Sequence, residues 1–196
     1  YGEINTKMKI LFLGDIVGDV GFNSVKNNLP KLISENKIDF VCVNGENAAK
    51  QGVGLTENIA NELFNSGVDV ITTGNHVWDQ KEIFDFIKTE NKLLRPLNMI
   101  GDLPGSGFSV FNSKKNYKVG VLNLMGNVFM KKCDNVFKVA EEFILKKKIS
   151  KNYDFLIVDL HAEITSEKNA MGNLFDGFAT LVVGTHTHIP TNDARV

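Results

Sequence analysis

Six short runs of apolar and β-branched residues punctuate the chain, at 9–13, 40–43, 68–73, 119–124, 155–160 and 181–183, with helical patterns between most of them. Several are apolar almost throughout, the pattern of strands covered on both faces. Strands of that kind must be buried against helices or a second sheet, so the alternation restricts the chain to an α/β architecture. Ile59, Ala60, Leu63 and Phe64 form one helical stripe, with Gly67 as its terminator. Asp79-Gln80-Lys81-Glu82 reads as a capping box opening a helix that buries Ile83, Phe84 and Ile87. Val136, Phe137, Ala140, Phe143 and Ile144 form another stripe, and Lys146-Lys147-Lys148 behind it are expected to sit solvated at a helix C-terminus. Pro30 is expected to end or kink the first helix. The stretch 95–118, broken by Pro and Gly, reads as loops plus a short strand at 108–111.

At 196 residues the chain has the length of one domain, and its 43% apolar and 23% charged residues are globular values. With 22 Lys plus Arg against 23 Asp plus Glu the net charge is -1, which argues against long nucleic acid as a partner. Binding a phosphate backbone needs a positive excess. No apolar run approaches the roughly 18–20 residues of a membrane-spanning helix, and the first residues lack the basic and apolar segments of a secretory signal. Cys42, inside Phe40-Val41-Cys42-Val43, reads as a buried free thiol, and with Cys133 as its only companion a reducing cytoplasm is expected. Met8 opens the first run, so residues 1–7 are expected to be an N-terminal extension.

The chemistry collects where these runs end. They lead into Gly14-Asp15, Asn44-Gly45-Glu46-Asn47, Gly74-Asn75-His76, Asp159-Leu160-His161-Ala162-Glu163 and Gly184-Thr185-His186-Thr187-His188. Parallel strands of an open α/β sheet present their carboxyl ends at one rim, where ligands bind. Taken singly, Asp15 could cap the next helix, Glu46 and Asn47 could shape a turn, and His161 could be an interior histidine with satisfied nitrogens. His186 and His188 are two apart and would point the same way on an extended strand. All four histidines fall in these segments, however, which favours a joint role. Imidazole, carboxylate and amide donors without thiolates suit Mn, Fe or Zn rather than Ca. Asp15, Glu46, Asn47, Asn75, His161, His186 and His188 are too many for one four-coordinate ion, so two ions sharing a carboxylate are expected. Two ions about 3.5–4 Å apart can clamp an in-line phosphoryl displacement and lower the pKa of a water between them. His76 is then available to protonate the departing alkoxide.

Eight segments follow in order from Met8 onward: Gly14-Asp15-Ile16-Val17-Gly18, Asn44-Gly45-Glu46-Asn47-Ala48-Ala49, Gly74-Asn75-His76-Val77-Trp78-Asp79, Arg95-Pro96, Leu124-Met125-Gly126, His161-Ala162-Glu163, Thr165-Ser166-Glu167-Lys168 and Gly184-Thr185-His186-Thr187-His188. In this set the chain resembles the calcineurin-like metallophosphoesterases, and within them the bacterial YmdB-like branch. The resemblance implies a metallophosphoesterase domain over 8–196, with two facing β-sheets flanked by helices in four layers. Family members continue beyond the last histidine motif, so the sandwich is expected to lack their C-terminal strands. Asp15 is followed by Ile16 and Val17 where the superfamily usually has Asp-x-His, and Glu46 replaces a bridging Asp. The YmdB-like branch shares both departures, and the resemblance implies that Asn47 helps fill the vacancy. Carried over residue by residue, Asp15, Glu46, Asn47 and His188 hold one ion. Glu46, Asn75, His161 and His186 hold the other, with Glu46 bridging and His76 as proton donor. Asn127 stands where close relatives tend to have arginine.

The activity so implied is a metal-dependent phosphodiesterase acting on small phosphodiesters, in particular 2′,3′-cyclic nucleotides at the 2′ bond. The nucleophile would be a hydroxide bridging two ions of Mn or Fe, with Zn as a further option. A cytoplasmic homo-oligomer with a small-molecule substrate and no membrane contact is expected. A nuclease on oligonucleotides is the competing enzyme reading, with Trp78 and Arg95 as its candidate track. A nucleotide-binding regulatory protein with little turnover is the alternative from another class. A dinucleotide-binding fold is weaker, because Gly14, Gly18 and Gly21 lack the Gly-x-Gly-x-x-Gly spacing.

Overall fold

Every apolar run forms a strand: β1 (Ile10–Leu13), β2 (Phe40–Asn44), β3 (Val70–Thr72), β4 (Phe108–Asn112), β5 (Lys118–Met125), β6 (Phe155–His161) and β7 (Leu181–Thr185). The helices are α1 (Gly18–Asn36), α2 (Glu57–Asn65), α3 (Ile83–Phe86), α4 (Val136–Ile149) and α5 (Thr165–Leu174). The computed structural model describes residues 7–149 and 152–196, so most of the expected N-terminal extension, residues 1–6, lies outside the described residues. Among the described residues no helix is long and apolar enough to cross a membrane.

The strands form two sheets. In the first, β1, β2 and β3 are neighbours in that order and parallel. In the second, ordered β4-β5-β6-β7, β5, β6 and β7 are parallel and only β4 runs against its neighbour. Side chains alternate across each strand, and here both faces are buried. Phe40 and Cys42 of β2 meet Val119, Val121 and Ile157 of the second sheet. Val41 and Val43 face the other way, onto Phe22, Leu29, Ala60 and Leu63 of α1 and α2. Leu156, Val158 and Leu160 of β6 pack on Val136, Ala140 and Phe143 of α4 and Met171 of α5. The result is helix, sheet, sheet, helix: the four-layer α/β sandwich that the resemblance implied. A fully buried Leu such as Leu29 or Leu63 contributes about 1.5–3 kcal/mol through this burial. Cys42 lies in the layer between the sheets, and its burial pushes the thiol well above its ordinary pKa, in keeping with an inert free cysteine.

Toward the carboxyl ends of the strands, the inter-sheet layer changes from apolar to polar. Asn44, Thr72, Asn123, Asp159 and Thr185 continue the inward faces of β2, β3, β5, β6 and β7, and all are buried. They form the floor on which the rim residues stand.

Several local expectations are corrected. Helix α1 runs through Pro30 to Asn36. Pro30 is exposed, so the carbonyl that it leaves without an N–H partner faces water. The capping box before α3 does not form: no side chain caps that helix, because Asp79 is engaged by His76 and Lys131 and Glu82 accepts from the Glu57 amide instead. Ile83 and Ile87 are buried as expected, but Phe84 is exposed and packs on Trp78. In the lysine run, Lys147 is not simply solvated, since its ammonium lies 4.4 Å from the centre of the Phe108 ring. The Lys148 side chain lies outside the described residues. Thr56 caps α2 by accepting from the Ile59 amide, and Gly67, with φ 107°, follows its last turn as the sequence suggested.

Candidate metal centre and active site

The parallel strands deliver their carboxyl-end residues to one rim. Asp15 follows β1, Glu46 and Asn47 follow β2, Asn75 and His76 follow β3, His161 ends β6, and His186 and His188 follow β7. Four of these meet closely. His161 Nε2 lies 2.8 Å from Glu46 Oε1, 3.0 Å from Asn75 Oδ1 and 3.0 Å from His186 Nδ1. The donor atoms of Glu46, His161 and His186 all lie within 4.8 Å of one another. Beside them, Asn47 Nδ2 is 3.4 Å from Glu46 Oε1 and 3.1 Å from His188 Nε2. His188 Nε2 is in turn 3.5 Å from Asp15 Oδ1. All seven residues expected as ligands therefore border one space, with Glu46 touching both groups. Asp15 does not cap α1: its Oδ2 accepts from the His186 amide.

His186 and His188 do not share a direction along a strand. β7 stops at Thr185, and the two residues have φ 97° and 55°, left-handed values that are uncommon for non-glycine residues. The turn sends His186 toward His161 and His188 toward Asn47 and Asp15. Strain of this kind is held only where the surroundings enforce it, and it clusters at functional sites.

The donor set fits divalent cations on two observations. Asp15 Oδ1 is buried and accepts no hydrogen bond, which is costly unless a cation compensates. Around His161 Nε2, a carboxylate oxygen, an amide oxygen and a second imidazole nitrogen crowd together, an arrangement of acceptors rather than of donor–acceptor pairs. Burial alone would raise the Glu46 pKa, but the His161 ring and the His76 amide hold it below the ordinary value. Burial alone would lower the His161 pKa, but Glu46 and Asp15 raise it instead. Burial lowers that of His186, and the neighbouring His161 adds to the effect.

His76 stands at the edge of this cluster. Its amide donates to Glu46 Oε2 at 2.9 Å, and its ring Nδ1 is 2.6 Å from Asp79 Oδ2. The ring is partly open to solvent, so Asp79 orients it with Nε2 free to approach a ligand. Asp79, read from the sequence as a helix cap, is thus a partner of His76 three residues away. Two lysines also reach the rim. Lys131 Nζ donates to the Asn75 carbonyl at 2.6 Å, and Lys168 Nζ donates to Thr187 Oγ1 at 3.3 Å. The Lys168 stem lies against Gly184, where a Cβ would come within 2.6 Å of its Cδ. Lys131 carries no spacing signal in the sequence, whereas Lys168 closes the segment Thr165-Ser166-Glu167-Lys168. Asp159, in the same strand-end segment as His161, is fully buried beneath it, and burial pushes its pKa up to about 6.

The candidate nucleic-acid track is occupied elsewhere. The Arg95 guanidinium donates to the carbonyls of Pro104, Pro96 and Leu103, and Trp78 packs on Phe84. Asn127 caps the start of α4 by accepting from the Val136 amide at 2.8 Å. An arginine there would lose that cap.

The chain matches the family described as YmdB-like protein over residues 11–196. It is 46% identical over 189 residues to the 2′,3′-cyclic-nucleotide 2′-phosphodiesterase of Bacillus subtilis, an alignment covering 96% of this chain and 70% of that protein. Among solved structures it is similar to a phosphatase from Mycoplasma pneumoniae, with a TM-score of 0.86 and 43% identity over 96% of this chain and 67% of that one. A hypothetical protein from Thermus thermophilus gives a TM-score of 0.87 and 37% identity over 96% and 71%.

Proposed function

The chain belongs to the YmdB-like protein family and is a phosphoester hydrolase, and from that premise we propose that it is a metal-dependent phosphodiesterase that opens 2′,3′-cyclic nucleotides at the 2′ bond. The observation that carries the reading is the convergence of Glu46 Oε1, Asn75 Oδ1 and His186 Nδ1 on His161 Nε2. Those four residues would hold one divalent ion, and Asp15, Asn47 and His188, with Glu46 shared, a second. Bound there, Mn or Fe supplies Lewis acidity that polarises a phosphoryl oxygen.

The remaining work falls to the chain's own side chains. His76, fixed through Nδ1 by Asp79, carries a proton on Nε2 to the departing ribose oxygen. Lys168, half-buried with its pKa lowered by burial, places a cation beside Thr187 and the rim. A small cyclic phosphate needs no extended basic track, which accords with the net charge of -1 and the internal engagement of Arg95. The free cysteines fit a reducing cytoplasm.

The direct test is hydrolysis of adenosine 2′,3′-cyclic phosphate. The expected product is the 3′-monophosphate, formation stops after exhaustive chelation, and Mn restores it. Full activity with metal content verified as nil contradicts the reading. His76→Ala is expected to lower kcat about 10²–10⁴-fold on the cyclic nucleotide while leaving bound metal unchanged. On a p-nitrophenyl phosphodiester, whose leaving group departs without a proton, the loss should be much smaller. Equal losses on both substrates would remove His76 from the proton-donor role.

A further inference from the structure

His161 is fully enclosed, and its two ring nitrogens meet quite different neighbours. Nε2 faces the cluster of Glu46, Asn75 and His186, whereas Nδ1 lies 3.0 Å from Thr185 Oγ1. The Thr185 hydroxyl has one proton, and Asp159 Oδ1 sits 2.7 Å away to receive it. Toward His161, then, Thr185 can only accept. Asp159 is held from its other side, where Oδ2 accepts from Thr72 Oγ1 at 2.6 Å and from Asn44 Nδ2 at 3.1 Å. Asn44 Nδ2 also lies 3.5 Å from His161 Nδ1 and 3.4 Å from Thr185 Oγ1, but its shortest bond is the one to Asp159.

The hydroxyl between carboxylate and imidazole has a geometric reason. Asp159 and His161 are two apart on β6 and share a face, so about 6.5–7 Å separates their positions along the strand. That is too far for a direct bond to Nδ1. Thr185 is the residue of β7 in register with His161, and its side chain fills the gap.

We infer that Asp159, acting through the Thr185 hydroxyl, is a positioning residue that holds His161 as its Nδ1–H tautomer, with the Nε2 lone pair aimed into the Glu46–Asn75–His186 cluster. Glu163 does the same for His186 without an intermediary. Its Oε2 is 3.0 Å from His186 Nε2, which leaves His186 Nδ1 turned inward. The two rings are thus presented in opposite tautomers to one space. Partners of this kind orient a ligating imidazole, and losing one typically weakens metal binding roughly 10–100-fold. The affinity consequence rests on the metal reading above; in the metal-free ring the Nδ1–H contact to Thr185 must hold against the acceptors around Nε2, so the tautomer is measured there directly.

The experiment compares the wild type with Thr185→Val, Thr185→Ser and Asp159→Asn. Ring ¹⁵N shifts of His161 are measured in metal-free protein in alkaline solution, where the imidazole is neutral, and Mn²⁺ affinity is measured separately by calorimetry. In the wild type and Thr185→Ser the proton is expected on Nδ1, with equal Mn²⁺ affinity. In Thr185→Val the Nδ1–H preference should be lost and Mn²⁺ should bind roughly 10–100-fold more weakly. Asp159→Asn should behave like Thr185→Val, and it decides the matter if the valine variant does not fold. A wild-type proton on Nε2, or an unaltered tautomer in both disabling variants, overturns the inference. Wild-type protein that takes up no Mn²⁺ yet shows the expected tautomers would defeat the metal reading while sustaining the positioning role.

Discussion

Glu46→Gln is expected to cost catalysis on the order of 10³-fold in kcat/KM while leaving the fold in place. Glu46 is fully buried, yet its side chain contacts both groups of candidate ligands, through His161 on one side and Asn47 on the other. Glutamine has the same shape and can still accept from the His76 amide, which holds Oε2 at 2.9 Å. What it lacks is the charge. Two cations held mainly by neutral imidazoles and amides, with Asp15 as the remaining carboxylate, would lose the negative charge they share, and several kcal/mol of transition-state stabilisation with it. Metal content should fall in parallel. The melting temperature of metal-free protein should hardly change, because removing a buried carboxylate also removes its desolvation penalty. Activity within tenfold of the wild type would mean that Glu46 bridges nothing.

Gly74→Ala should damage both stability and activity, for a steric reason. A Cβ at Gly74 would lie 2.1 Å from Cδ2 of His161 and 2.4 Å from its Nε2. The ring cannot swing aside, since Nδ1 is tied to Thr185 and Nε2 is packed against Glu46, Asn75 and His186. Overpacking at such a place costs about 1–3 kcal/mol, which for a domain of this size lowers the melting temperature by roughly 2–4 °C per kcal/mol. Displacement of His161 should also reduce metal uptake. Gly14→Ala is the matched control: it also stands at a strand end just before a candidate ligand, but nothing lies within 4 Å of its Cβ position. That variant should stay within about 0.5 kcal/mol of the wild type. Similar melting curves for the two alanine variants would contradict the close approach of Gly74 to His161.

The strands were legible because each is buried on both faces, which writes an apolar run into the sequence, and because each run stops at a polar residue where the rim begins. The ligand candidates were legible for the same reason: Asp15, Glu46, Asn75 and His161 are the residues at which the apolar pattern ends. Asp79 was misread because a carboxylate three residues before a glutamate has the spacing of a cap whether or not another side chain claims it. His76 and Lys131 claim it here. Pro30 misled because its effect depends on which side of the helix faces water, and spacing alone does not decide that. The turn that separates His186 from His188 has no glycine to announce it. The network under His161 was the least visible part. Its bonds join Asn44, Thr72 and Thr185 to Asp159 across 115, 87 and 26 residues; the pairing of β6 with β7 brings Thr185 there, and only the packing of one sheet against the other brings Asn44 and Thr72.

Crystals grown in the presence of Mn²⁺ give the most direct measurement, read by anomalous scattering at the manganese edge. The expected result is a peak bonded to Glu46, Asn75, His161 and His186, with a second beside Asp15, Asn47 and His188 sharing Glu46. Fully occupied manganese elsewhere on the molecule, with the rim still hydrogen-bonded to itself, would contradict it.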